Sequence, residues 1–220
     1  MILDFGKVIA GPKTGDWDMT PKFLERIKAE EIDKEKWKMA VKRIDSILSR
    51  NVTTLEGEEE MFFDYYCGIL KECHYPYYDE KVIHEIAHDR AFKDDKYQLY
   101  GGIHEELAKL QENYTMIMLT DNWPCVFDYL KRNDLAKYFE KVYVSSIYGS
   151  IKKQGTFFDY PMKDYSIKEG EAIFIDDDEE NLDVACSKGF KVYRMDRERV
   201  VKASKYTIIH DLHGDSFNQK

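Results

Sequence analysis

The spacing of apolar residues changes near residue 100, from a helical period to short continuous runs. Between about Thr20 and Phe92, apolar residues recur at intervals of three and four, as at Trp37, Val41 and Ile44, which is the period of one helix face. Thr20-Pro21 also predicts a helix start, because threonine caps a first turn and proline fits its first position. This region predicts a bundle of about four helices with its own small core.

Beyond Gly101-Gly102, short apolar runs alternate with helical patterns. Apolar runs of strand length lie at 114–120, 141–146, 172–175, 191–194 and 206–209. Strands that are almost wholly apolar and alternate with helices are typical of a parallel sheet that is covered on both faces. The first residues, 1–5, form one more apolar run, and we expect it to join the same sheet because nothing precedes it to pair with.

These patterns predict an α/β protein with a doubly wound parallel sheet and an inserted bundle of helices. The predicted α/β core comprises residues 1–12 and 100–220, and the predicted helical cap comprises residues 13–99.

Composition and charge narrow the range of functions. Hydrophobic residues make up 43% of the chain and charged residues 34%, which is typical of a globular protein with a sizeable core. The net charge of −9 argues against a general nucleic-acid binder, which needs a basic face. We find no apolar run of membrane-spanning length and no signal-peptide pattern. Four cysteines without a disulfide-framework spacing are typical of reduced thiols, so we expect a cytoplasmic protein; the oligomeric state is not predicted.

Polar residues stand at the ends of four predicted strands. Asp4 ends the first, Thr120 the second, Lys152 follows the third closely, and Asp176 begins an acidic run after the fourth. Ligands of open α/β sheets bind at the carboxyl ends of the strands. Carboxylates from separate strands repel each other unless a divalent cation lies between them, and such oxygen ligands suit Mg²⁺. A hydroxyl and an ammonium group suit a phosphoryl group.

Four short segments in this order resemble the motifs of the haloacid dehalogenase-like hydrolases. The segments are Asp4-Phe5-Gly6-Lys7-Val8, Leu119-Thr120, Gly149-Ser150-Ile151-Lys152 and Phe174-Ile175-Asp176-Asp177. The resemblance covers the predicted α/β core, and the helical insertion lies between the first and second motifs, where one subclass of the family carries a helical cap.

The resemblance implies a role for each residue that would contact a phosphoryl group. Asp4 would be the nucleophile that becomes an aspartyl-phosphate. Thr120 and Lys152 would bind the phosphoryl oxygens, and Lys152 would also offset the charge of Asp4. Asp121 and Asn122, which follow Thr120 directly, are further candidates for substrate binding.

The resemblance also implies a magnesium site. Asp176 would bind Mg²⁺ together with Asp4 and the backbone carbonyl of Gly6. Asp177 would bind the ion directly or through water. The expected function is therefore Mg²⁺-dependent hydrolysis of a small phosphorylated metabolite, a sugar phosphate being one candidate. Dehalogenation is less expected, because the acidic run signals a metal that dehalogenases do not need.

The chain departs from the family pattern at two positions. Most phosphatases of the family carry a second aspartate two residues after the nucleophile, as general acid and base, but this chain has Gly6. Gly6 removes a proton source that is usually worth about 10²–10⁴ in rate. Lys153 stands where the family often has proline, so Lys153 is an alternative to Lys152 as the third-motif lysine.

Two alternative functions follow from other features. Because of Gly6, the chain could be a catalytically weak protein of the same fold that binds or regulates. A zinc metalloprotease is a remote alternative, since the residues from His84 to His88 match H-E-x-x-H, with Glu105 or Glu106 as a third ligand.

Overall fold

A parallel sheet of six strands forms the centre of one of the two compact units of the protein. The computed structural model describes residues 1–75, 79–93, 96–213 and 217. The strands of the main sheet are β1 (Ile2–Leu3), β4 (Ile117–Thr120), β5 (Lys141–Val144), β6 (Ile173–Asp176), β7 (Lys191–Met195) and β8 (Ile208–Ile209). Their order across the sheet is β5-β4-β1-β6-β7-β8, and every pairing is parallel. The predicted parallel α/β fold is confirmed.

The first strand lies in the middle of the sheet although it begins the chain. Leu3 pairs with Met118 of β4 on one side and with Ile175 of β6 on the other. All strands run the same way, so the residues that follow β1, β4 and β6 meet at one edge of the sheet. This topology is what brings the candidate site residues together.

Helices cover the sheet of this unit, which we call the α/β unit. They are α5 (Ile103–Gln111), α7 (Ser145–Tyr148), α8 (Thr156–Asp164), α9 (Glu179–Ser187) and the second half of α6 (Cys125–Arg132), whose first half belongs to the other unit. Apolar side chains of α8 and α9 pack with the sheet, and Phe158 meets the ring of Phe174 edge to face. Short 3₁₀ helices lie at Ala136–Tyr138 and Lys152–Gln154.

The second unit, which we call the helical unit, contains four α-helices in its described residues. They are α1 (Pro21–Arg26), α2 (Lys34–Ile44), α3 (Leu55–Glu72) and α4 (Glu80–Phe92), with 3₁₀ helices at Ala29–Glu31 and Asp45–Ser49. The predicted cap at Thr20 is confirmed, because its side chain accepts a hydrogen bond from the Phe23 amide. Across the described parts of both units, no helix is at once long and apolar enough to cross a membrane.

Each of the two units is built from more than one segment of the chain. The α/β unit comprises Met1–Gly11, Leu99–Asn122 and Tyr129–Lys220, and the helical unit comprises Pro12–Gln98 together with Trp123–Asp128. The segment at Trp123–Asp128 belongs to the helical unit because it packs there: the Trp123 ring meets the Phe62 ring edge to face, 5.1 Å between centroids.

The sequence patterns missed two features of the fold. Strands β2 (Ala10–Pro12) and β3 (Tyr97–Leu99) form a separate two-stranded sheet where the chain leaves and rejoins the α/β unit. Both are too short to show a strand period. Helix α8 also went unpredicted, because Pro161 interrupts its pattern.

A glycine in α3 permits close packing of two helices in the helical unit. A Cβ atom added at Gly68 would lie 2.9 Å from Cγ2 of Ile44, whereas one added at Gly57 of the same helix would meet ordinary contacts of 3.5 Å or more. Ile44 therefore packs directly on the backbone of α3.

We predict opposite effects for the same substitution at these two positions. Gly57→Ala should raise the free energy of unfolding by up to about 1 kcal/mol, because alanine favours helix. Gly68→Ala should lower it by about 1 kcal/mol or more through overpacking against Ile44. Urea denaturation of both variants measures this, and equal stabilisation by the two would show that the contact is not tight.

Candidate active site

Three polar residues lie side by side where neighbouring strands end. Asp4 follows β1, Thr120 ends β4 and Asp176 ends β6. The amide of Asp4 donates to the carbonyl of Ile175 at 3.0 Å, which continues the β1–β6 ladder to the edge of the sheet. Asp4, Thr120 and Asp176 are all buried, so their side chains are fixed by the sheet rather than by flexible loops.

Lys152 joins two of these residues. Its side chain is 2% exposed, its Nζ lies 2.8 Å from Oδ1 of Asp4, and it donates a hydrogen bond of 2.6 Å to Oδ2 of Asp176. The Lys152 amide also donates to Oδ1 of Asp121 at 3.1 Å, which ties this loop to the end of β4. A buried ammonium between two buried carboxylates is an arrangement that compensates charge and sets the positions of all three groups.

Lys153 occupies a different environment from Lys152. Its side chain is 45% exposed, and its ammonium group pairs with the carboxylates of Asp178 and Glu180 at 3.1 and 2.9 Å. Both partners belong to the start of α9, on the protein surface. Of the two candidate lysines, the structure therefore brings Lys152 and not Lys153 to Asp4.

Asp176 is held by donors that the sequence did not single out. The Asp178 amide donates to Oδ1 of Asp176 at 2.8 Å, and the Asn181 side-chain amide lies 3.3 and 3.1 Å from the two carboxylate oxygens. Asn181 is 5% exposed and lies in the first turn of α9. The one sequence signal for it was an amide five residues after Asp176, at the start of a helix.

The carboxylates of this site have the spacing of a metal-binding group. Oxygen atoms of Asp4, Asp176 and Asp177 all lie within 4.8 Å of one another, and the described residues contain no other such group of three histidine, cysteine or acidic residues. Oδ1 of Asp4 is buried and accepts no hydrogen bond of good geometry within the described structure, although the Lys152 ammonium is close to it. An all-oxygen set with one buried oxygen lacking a donor fits a hard divalent cation such as Mg²⁺.

Burial and charge shift the pKa values of these groups. Burial raises the pKa of Asp4 well above its usual range, the Asp176 charge raises it further, and the Lys152 ammonium opposes both. Burial also raises the pKa of Asp177, again with a contribution from Asp176. Burial lowers the pKa of Lys152, but the Asp176 and Asp4 carboxylates together outweigh it and hold this pKa above its usual value. When all three are ionised, the site holds three carboxylates near the one buried ammonium of Lys152.

Asp177 pairs with a lysine that the sequence analysis did not weigh. Nζ of Lys7 lies 3.1 Å from Oδ2 of Asp177. The Lys7 backbone has a φ of 50°, in the left-handed region that favours glycine, and its amide donates to the carbonyl of Ala10 at 2.7 Å. Gly6, directly before it, does not have a positive φ, so glycine is not required there by backbone conformation.

The remaining candidates lie around the end of β4. Thr120 is the last residue of β4 and is buried, with 2% of its surface exposed. The Asn122 amide donates to Oγ of Ser145 at 3.1 Å, which links β4 to the start of α7. Asp121 is exposed and positions the Lys152 amide, as described above.

The two histidines of the H-E-x-x-H segment lie on α4 of the helical unit and share one partner. Nδ1 of His84 and Nδ1 of His88 lie 3.2 and 3.1 Å from the two carboxylate oxygens of Glu59. The expected third ligands are engaged elsewhere, since Glu105 pairs with Lys109 and Glu106 pairs with Arg197. Among the described residues, neither histidine belongs to a group of three side chains with metal-ligand spacing.

A family model of haloacid dehalogenase-like hydrolases matches residues 67–195, more than half of the chain. The chain belongs to this family. The matched segment includes Thr120, Lys152, Asp176 and Asp177, whereas Asp4 precedes it. The three aspartates of this hydrolase and its buried Lys152 belong to the segments that resemble the family's motifs. No curated protein matches it.

Several solved structures are similar to this chain in fold. A family enzyme from Bacteroides thetaiotaomicron, in complex with magnesium and inorganic phosphate, is 20% identical, covers 91% of this chain and 96% of its own, and has a TM-score of 0.63. The protein YfnB from Bacillus subtilis, of the same family and bound to magnesium, is 17% identical, with 96% of this chain and 93% of its own chain covered and a TM-score of 0.64. The L-2-haloacid dehalogenase of Xanthobacter autotrophicus is 13% identical, with 98% and 96% covered and a TM-score of 0.64. At these identities the likeness shows a shared fold.

The contrast between the two lysines gives a stability prediction. In metal-free buffer at neutral pH, Lys152→Met should lower the free energy of unfolding by about 3 kcal/mol or more, because it leaves buried carboxylates without their cation. Lys153→Met should change it by about 0.5 kcal/mol or less, because exposed ion pairs contribute little. Urea denaturation compares the two, and similar small changes for both would contradict the placement of Lys152.

Proposed function

We propose that this hydrolase is a Mg²⁺-dependent phosphatase of a small phosphorylated metabolite and acts through an aspartyl-phosphate at Asp4. The observation that carries the proposal is the grouping of Asp4 with Asp176, Asp177 and Lys152 at one edge of the sheet. The three carboxylates have metal-ligand spacing, and the lysine lies 2.8 Å from the proposed nucleophile.

The residues of the chain account for the phosphoryl transfer. A carboxylate oxygen of Asp4 attacks phosphorus, and the bond between phosphorus and the leaving oxygen breaks. The ammonium of Lys152 and the hydroxyl of Thr120 bind phosphoryl oxygens, where they stabilise negative charge in the transition state. Water then hydrolyses the phosphoryl group from Asp4 and regenerates the carboxylate.

The metal site of the proposal uses the same carboxylates. Asp4, Asp176 and the backbone carbonyl of Gly6 would hold the ion, and Asp177 would hold it directly or through water. When bound, Mg²⁺ acts as a Lewis acid toward phosphoryl oxygens and offsets the charge of the carboxylates. Lys152 and Asn181 keep Asp176 in a fixed orientation.

Phosphate hydrolysis fits the site better than dehalogenation. A haloacid dehalogenase of this fold is among the structural neighbours, and so is an enzyme in complex with magnesium and phosphate. In this chain, Asp176 and Asp177 add two carboxylates beside the nucleophile, which makes the site more negative than nucleophilic attack on an anionic haloacid would favour. A divalent cation and a phosphoryl group together suit that charge.

The proposal also covers the substrate class, the cellular location and a second candidate function. A sugar phosphate is one candidate substrate, and the four free cysteines are consistent with the cytoplasm. Gly6 lacks the carboxyl group that most phosphatases of the family use as a general acid. A weakly catalytic protein that binds phosphorylated ligands is therefore the second candidate function.

The test is a screen of phosphorylated sugars, nucleotides, organic acids and aryl phosphates, with Mg²⁺ and with chelator, beside 2-haloacids without metal. We expect phosphate release that depends on Mg²⁺ and no halide release. Halide release without metal would contradict the phosphatase proposal. Ligand binding with no turnover would favour the second candidate function.

The matched control for this screen is Asp4→Asn. A carboxamide cannot attack phosphorus, so turnover should fall below detection. The same change removes one of three acidic groups that crowd around a single buried ammonium, so the metal-free variant should be at least as stable to urea as the wild type. Retained turnover in the folded variant would remove Asp4 from the mechanism.

A further inference from the structure

The site as described has no acidic side chain at Gly6 to assist the leaving group. When phosphorus is attacked, the leaving oxygen takes the electron pair of the broken bond and becomes more negative. Without a general acid, that charge needs another stabilising group. A cation near the carboxylates that does not bind the phosphoryl group would supply that stabilisation.

Lys7 is placed for this role by the backbone. It directly follows Gly6, and its left-handed φ of 50° turns the chain within a tight loop. Two hydrogen bonds hold that loop, since the amides of Ile9 and Ala10 both donate to the carbonyl of Phe5 at 2.9 and 3.2 Å. A left-handed lysine is held there by its surroundings, and such strain is concentrated at functional sites.

The Lys7 ammonium pairs with one of the three clustered aspartates and is also partly exposed to solvent. Nζ of Lys7 is 3.1 Å from Asp177, whose carboxylate is within 4.8 Å of that of Asp4. The Lys7 side chain is 49% exposed. Lys7 and Asp177 also line one cavity of about 190 Å³, together with Tyr100, Arg194 and Arg197. The Lys7 ammonium therefore has space beside it that the chain does not fill.

The other cations around the site are already engaged. Lys152 is buried between Asp4 and Asp176, and Lys153 pairs with surface carboxylates of α9. Arg194 donates to the Asp177 carbonyl and pairs with Glu179. Arg197 binds both carboxylate oxygens of Glu106. Lys7 differs from all four, because it pairs with a site carboxylate and still has an exposed face.

We infer that the Lys7 ammonium stabilises the leaving-group oxygen by charge and hydrogen bonding, in place of an acid at Gly6. The inference rests on the proposed phosphatase function. The Asp4 oxygen bonds to phosphorus, the electron pair of the broken bond stays on the leaving oxygen, and water protonates that oxygen after release. Lys7 keeps its own protons. This arrangement suits phosphates with weakly basic leaving oxygens, such as anomeric, enol and acyl phosphates.

The experiment compares the turnover of substituted aryl phosphates whose phenols range from strongly to weakly acidic, at saturating Mg²⁺. Lys7→Gly removes the ammonium, and glycine adopts the left-handed backbone readily, so this variant should fold. Lys7→Arg keeps the charge. Lys153→Met removes an exposed lysine close to the site and serves as the matched control.

The expected result depends on the leaving group. Lys7→Gly should lower kcat about 100-fold for the most basic phenol and less than about threefold for the most acidic, as for the loss of one charge-stabilising donor. Lys7→Arg should keep most of the wild-type kcat, and Lys153→Met should match the wild type on every substrate.

An equal loss on all substrates, or no loss, in folded Lys7→Gly would overturn the role of Lys7. An inactive wild type would instead contradict the phosphatase function itself, and with it this role.

Discussion

The site depends on one buried ammonium between carboxylates that follow two neighbouring strands. The sheet places Asp4 and Asp176 next to each other, because β1 lies in the middle and pairs directly with β6. Two neighbouring buried carboxylates repel each other. The ammonium of Lys152, which lies between them, offsets this repulsion and the free-energy cost of burying them. The residues that hold the loop of Lys152, including Asp121, thereby also set the geometry of the proposed nucleophile.

The negative charge that Lys152 does not balance accounts for the other properties of the site. Three carboxylates, those of Asp4, Asp176 and Asp177, share the ammonium groups of Lys152 and Lys7. Burial, together with the neighbouring Asp176 charge, raises the pKa of Asp4, and the three carboxylates together favour a divalent cation. A site of this kind is less stable without its ligands, which is the usual compromise between stability and activity. The left-handed backbone of Lys7 is a second feature of this site that lowers the stability of the fold.

Much of the fold could be predicted because strand and helix periods are local signals. The strand ends also located Asp4, Thr120 and Asp176, since parallel strands must bring these ends to one edge. The sequence did not decide between Lys152 and Lys153 as the lysine of the site, because the two are adjacent. The structure distinguishes them by burial, since Lys152 is buried and Lys153 is exposed. The contact of Lys7 with Asp177 depends on the left-handed backbone of Lys7, and no local sequence pattern predicts that conformation for a lysine. The packing of Trp123–Asp128 in the helical unit likewise arises from tertiary contacts alone.

The central claim is that Asp4 accepts a phosphoryl group. The most direct measurement is rapid acid quench of the enzyme during turnover of a phosphate ester radiolabelled in its phosphoryl group, followed by peptide mapping. The account predicts transient label on the peptide that contains Asp4, dependent on Mg²⁺ and absent from Asp4→Asn. Turnover with no labelled protein at any quench time, or label on a different residue, would contradict it.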